Sequence, residues 1–142
     1  MSEIEYHRAV DKYLGNGYGA SHLRQADIAK MVEENLLRFD GEKYKLFSWV
    51  IMPNHVHILL ALCEGFSLAT TMQSMKSFTS HRANEMLGRT GHFWSKEYFD
   101  RYIRNAEHFA RTIEYIEMNP VKARLCRQPE DWRFSSALSR IG

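Results

Sequence analysis

Cysteine is scarce: only Cys63 and Cys126 occur in 142 residues. Two unpatterned cysteines make no disulfide scaffold, which reads as a chain of the reducing cytoplasm. No apolar run approaches the roughly 20 residues of a membrane span, so no membrane partner is expected. The first eight residues carry Glu3 and Glu5 without a hydrophobic stretch and do not read as a signal peptide. Repeats, low-complexity stretches and linkers are lacking. So is a strong excess of one charge: 19 Lys and Arg oppose 17 Asp and Glu, a formal +2. With 44% hydrophobic and 25% charged residues, the composition is that of one globular domain over residues 1–142.

The charge is unevenly spread. Residues 1–70 hold 7 basic and 9 acidic side chains, a net of −2, and residues 71–142 hold 12 and 8, a net of +4. The basic half is also rich in aromatics, among them Phe78, Phe93, Trp94, Tyr98, Phe99 and Tyr102. Cations neutralise phosphates and aromatic faces stack on unpaired bases. A solvated helix surface over an aromatic core gives the same pattern, and spacing alone favours that plainer origin.

The periodicity predicts a weak helix over 3–14 with Ile4, Val10 and Leu14 as its apolar positions, broken by Gly15, Gly17 and Gly19. A better helix follows over 25–39, striped by Ile28, Met31, Val32, Leu36 and Phe39. Strands are expected over 43–52 and 55–62, paired antiparallel across Pro53-Asn54. Ser67 caps a helix over 68–87 that Gly88 and Gly91 end. A third strand at 97–103 precedes a helix over 106–118 capped by Asn105, interrupted at Asn119-Pro120 and resumed for one turn over 121–125. The tail, residues 126–142, packs back through Trp132 and Phe134 of DWRFSS. The order implies an α+β fold, a small antiparallel sheet with helices packed on it.

Two constellations carry chemistry. His55 and His57 alternate with Val56, so both imidazoles lie on one face of their strand and can share a divalent ion, though they cannot complete its shell. Leu59 fills the place of a third alternating histidine, which excludes a histidine-triad hydrolase. On the helix, Ala106, Phe109, Ala110, Ile113 and Ile116 form an apolar stripe, and His108, Thr112, Tyr115 and Asn119 a polar line beside it. Asn119 can offer a carbonyl oxygen to the ion, and Tyr115, one turn earlier, a phenol to whatever the ion binds. Phosphoryl transfer on DNA suits this set.

WVIMPNHVHILL (49–60), KSFTSHRAN (76–84), GHFWSKEYFDRYIRN (91–105) and EYIEMNPVKARL (114–125) together resemble the REP-associated tyrosine transposases, a branch of the single-tyrosine HUH transposases (insertion sequence 200-like). The resemblance implies the HUH, ferredoxin-like fold, Mg²⁺ or Mn²⁺ at His55 and His57 with Asn119 nearby, and Tyr115 as the nucleophile. It implies single-stranded or hairpin DNA as the partner, a 5′-phosphotyrosine intermediate and no nucleotide cofactor. Candidate DNA contacts are Lys76, Ser77, Thr79, Arg82, Phe93, Trp94, Arg101, Arg104 and Lys122. His108 reads as a solvated surface histidine. The family's first strand is not visible in residues 1–24: it is either disguised around Tyr18–Leu23 or absent, leaving the protein a monomer or, with a partner filling the gap, a homodimer. Two rivals stay open, a binding module that no longer cuts and a metal phosphodiesterase in which Tyr115 is structural.

Overall fold

The N-terminal segment departs most from its sequence pattern. In a computed structural model that describes residues 8–16, 20–96 and 98–140, Ala9–Gly15 is a β-strand, β1, not a helix. It is neither missing nor located at Tyr18–Leu23, whose first two residues lie outside the described set. The sheet also contains β2 (Tyr44–Met52), β3 (His55–Leu62) and β4 (Tyr98–Tyr102), in the order β2-β3-β1-β4. All pairings are antiparallel, so β1 is an interior strand between β3 and β4.

The misreading has a physical reason. Both faces of the sheet are covered, so β1 shows no alternation of polar and apolar residues. Val10, Lys12 and Leu14 face one side, and Ala9, Asp11 and Tyr13 the other. Asp11 and Lys12 are both nearly fully buried. Lys12 Nζ meets Asp100 of β4 at 2.7 Å, and Asp11 is bonded to His57 of β3. Paired charges can occupy a buried strand, but they erase the apolar signature by which such a strand is read.

The helices divide between the two faces. Helix α1 (Ala26–Arg38) buries Ile28, Ala29, Val32 and Leu36. Helix α2 (Leu68–Leu87) buries Met72, Met75 and Ala83. Both pack with Leu14, Val56, Ile58 and Leu60 of the sheet. The Ser67 hydroxyl caps α2 by accepting from the Thr70 N–H at 3.2 Å, and Gly88 ends it at φ 65°, a left-handed conformation that favours glycine. On the opposite face, helix α3 (Ala106–Lys122) packs Phe109 and Ile116 against Ala9, Val50, Met52 and Leu59. The Asn105 side chain caps α3 by accepting from the His108 N–H at 2.8 Å.

Helix α3 runs through Pro120 without the expected interruption. Proline removes one donor there, but its ring is buried, and the next turn closes through the Ala123 N–H to the Asn119 carbonyl at 3.0 Å. The tail packs back as expected. Trp132 Nε1–H donates to the Ile51 carbonyl and the Ile51 N–H to the Phe134 carbonyl, both at 2.9 Å. These bonds cover the outer edge of β2 before the short helix α4 (Ser136–Arg140). No helix among the described residues is long and apolar enough to cross a membrane.

Candidate active site

The expected pleat holds. His55 and His57 share a face of β3, and the strand register places Gly15, Tyr13 and Asp11 of β1 beside His55, His57 and Leu59 on that face. Tyr13 stacks on His55 with ring centroids 5.0 Å apart and meets His57 edge-on at 6.4 Å.

Hydrogen bonds orient both imidazoles. Asn54 Oδ1 lies 2.9 Å from His55 Nδ1. A carbonyl oxygen only accepts, so Nδ1 carries the proton and Nε2 the lone pair. Burial, and secondarily the neighbouring His57, pushes the His55 pKa down to about 4, leaving the ring neutral at pH 7. His57, 2% exposed, donates its Nε2–H to Asp11 Oδ1, because a carboxylate can only accept. A neutral imidazole with an oriented lone pair, as at His55, is what a divalent transition ion or Mg²⁺ site requires, and with His57 on the same face the residues present fit the expected metal. No group of three His, Cys, Asp or Glu gathers at ligating distance among the described residues. The shell therefore needs the Asn119 amide, water or substrate oxygens as well.

Helix α3 brings the tyrosine to the histidines. The Tyr115 and His57 rings meet edge-to-face, with centroids 5.6 Å apart and planes at 74°. Tyr115 is 52% exposed, so its hydroxyl is reachable from solvent. Lys122, two turns on, holds its ammonium 5.2 Å from the Tyr115 ring centroid. Asn119 sits one turn beyond Tyr115 and is partly buried. The polar line is not a uniform border, however. His108 and Thr112 are buried, while Ala106 and Ala110 of the expected apolar stripe are exposed. The helix is rolled so that polar residues pack inward and Tyr115 and Asn119 lie on the rim. His108 is therefore no surface histidine. Its Nδ1 accepts the Arg104 N–H at 3.0 Å, and burial, then Arg104, Arg101 and Arg111, lowers its pKa.

The candidate DNA contacts fall into two groups separated by the sheet. Arg101, Arg104 and Lys122 are exposed on the α3 side, Arg101 in register with Asp11. Lys76 and Ser77 line a cleft of about 890 Å³ beside α2, together with Lys12, His92, Lys96 and Asp100. Burial, then the charge of Lys12, lowers the Lys76 pKa. Arg82 is exposed and 3.6 Å from Glu85. Three residues do not suit DNA contact. Thr79 is fully buried, donates to the Met75 carbonyl at 2.7 Å and accepts from Trp94 Nε1–H at 2.8 Å. Phe93 is 1% exposed and packs edge-on against the buried Trp94. These aromatic faces belong to the core and are not open to stack on bases.

Sequence reasoning missed Asp11 and Glu117. Asp11 was hidden by the helical reading of its strand. Glu117, on α3 two residues from Tyr115, is buried and accepts from Ser136 Oγ at 2.6 Å and Ser48 Oγ at 3.2 Å. It ties the tyrosine helix to β2 and the tail. Glu117→Ala should lower unfolding stability by about 1–3 kcal/mol, because two buried hydroxyls lose their shared acceptor. Glu117→Gln, which keeps an acceptor oxygen, should lose less; urea denaturation of both variants measures the difference.

A family model described as Transposase IS200 like matches residues 20–119. A REP-associated tyrosine transposase of Escherichia coli (strain K12) is 27% identical over 94 residues, which cover 66% of this chain and 54% of that relative. The chain spans about half the length of the curated relatives it matches. The solved structure of a REP-associated tyrosine transposase bound to a REP hairpin superposes with a TM-score of 0.73 at 20% identity, covering 96% of this chain and 79% of that one. That likeness extends the shared fold over nearly the whole molecule.

Proposed function

Because the chain belongs to the IS200-like transposase family, we propose that it cuts and rejoins single-stranded DNA next to a REP-type hairpin through a covalent bond to Tyr115. The observation that carries this reading is the contact between the exposed Tyr115 ring and the buried His57 ring, which two different elements deliver to one place. The Tyr115 oxygen attacks phosphorus in line, the bond from phosphorus to the 3′-oxygen breaks, and that oxygen takes a proton. The products are a 5′-phosphotyrosine and a free 3′-hydroxyl. His55 and His57, with Asn119, would hold Mg²⁺ or Mn²⁺, which supplies charge to the phosphate oxygens and orients the scissile bond. Lys122 places a cation beside the Tyr115 ring, where the phosphodiester must lie. Arg101 and Arg104 extend the basic surface along the same face. A strand that also reached Lys76 and Ser77 would pass round β4, whose outer edge has no strand partner among the described residues.

Incubation with a single-stranded hairpin oligonucleotide and Mn²⁺, followed by a denaturing gel, tests the reading. A slower protein–DNA band is expected. Chelation by EDTA should reduce it to background, and added Mn²⁺ or Mg²⁺ should restore it. Hairpin binding with no band under any metal would instead favour a binding module on the same scaffold.

A further inference from the structure

The Asp11–His57 pair goes beyond the motifs that carry the family resemblance. Asp11 belongs to β1, outside the matched residues 20–119. It is 5% exposed, on the α3 side of the sheet, and its Oδ1 is bonded to His57 Nε2. A buried carboxylate must have a strong partner, and register also sets Arg101 of β4 beside it. Arg101 is exposed, whereas His57 is almost completely enclosed.

We propose that Asp11 is a positioning residue of the metal site: by accepting the Nε2–H of His57, it fixes that ring in one tautomer and directs the Nδ1 lone pair to the ion. The inference rests on the metal reading given above. His55 has its own holder of a different kind, the neutral Asn54 amide on the turn before it. The two imidazoles are thus oriented separately, the half-buried one by its neighbour in sequence and the fully buried one by a carboxylate 46 residues away. A carboxylate that accepts a ligand's ring N–H also raises the basicity of the nitrogen bound to metal. Tyr13 and Tyr115 contact the His57 ring edge-on, which leaves it little freedom to turn once Asp11 holds it.

The test uses the full chain with Asp11→Asn and Asp11→Ala, and two readouts. Isothermal titration with Mn²⁺ alone should show affinity ten- to hundred-fold weaker in Asp11→Ala. Asp11→Asn, whose amide oxygen still accepts the Nε2–H, should fall by much less. Long-range ¹H–¹⁵N correlation of the metal-free protein, at alkaline pH where imidazoles are neutral, should show His57 protonated on Nε2 in the unmutated chain and in Asp11→Asn. In Asp11→Ala the ring should become a mixture of tautomers. Wild-type Mn²⁺ affinity in Asp11→Ala overturns the proposal. So does Asp11→Asn as weak as Asp11→Ala, which would make the carboxylate itself a ligand. A role confined to balancing Arg101 would leave the tautomer unmoved in every variant, and that result also overturns it. If the unmutated chain binds no Mn²⁺, the metal reading fails, and the ring nitrogens still report separately whether Asp11 holds His57.

Discussion

Tyr115→Phe is expected to bind hairpin DNA like the unmutated chain and to form no covalent adduct. The substitution removes one oxygen. The edge-to-face contact with His57 and the Lys122 ammonium over the ring need only the aromatic ring, so phenylalanine retains both. Tyr115 is 52% exposed, and losing its hydroxyl leaves no buried donor without a partner. Fold and binding should therefore persist. The reaction should not, because the oxygen that would bond to phosphorus is gone. Loss of a covalent nucleophile lowers turnover by on the order of a thousandfold or more. A denaturing gel for the adduct, run beside a native gel for binding, separates the two effects. Cleavage that survives without an adduct would mean that water is the nucleophile and Tyr115 structural.

The legible parts of the site were those fixed by local periodicity. A strand turns alternate residues to the same face, so His55-Val56-His57 placed two imidazoles together with no knowledge of the fold. Helical geometry likewise put Tyr115 and Asn119 one turn apart. What periodicity left open was how the tyrosine helix is rolled on the sheet. That depends on which polar residues find partners inside, and His108 and Thr112 do, through the Arg104 N–H and the His108 carbonyl. The same limit explains Thr79 and Trp94. The family motif offers Thr79 and a glycine loop offers Trp94 as DNA contacts, yet the threonine hydroxyl and indole N–H satisfy each other in the core. Pairings across long sequence separations, such as Asp11 with His57 and Glu117 with Ser48, are invisible until the chain is folded.

Strand β1 shows this limit most clearly, and its removal should have the largest effect on the fold. A chain lacking residues 1–15 is expected to lose cooperative folding altogether. Strand β3 would lose its partner on one side, and β4 would lose the only strand it pairs with among the described residues. Val10 and Leu14, each 1% exposed, would no longer fill the core. A fully buried side chain of that kind contributes about 1.5–3 kcal/mol. Two of them approach the roughly 5–15 kcal/mol by which a domain is stable, before any ladder hydrogen bond is counted. The deletion also leaves His57 and Asp100 without the partners that Asp11 and Lys12 provide. The thermal transition by circular dichroism should disappear, and the amide proton spectrum should lose its dispersion. Leu14→Ala gives a graded comparison, because it keeps both ladders and the Asp11–His57 bond while opening a cavity. It should fold and bind DNA with stability lower by about 2–5 kcal/mol. A deleted chain that still melts cooperatively would show that β2, β3 and the three long helices fold without β1. Asp11 would then be an addition to a site that assembles independently of it.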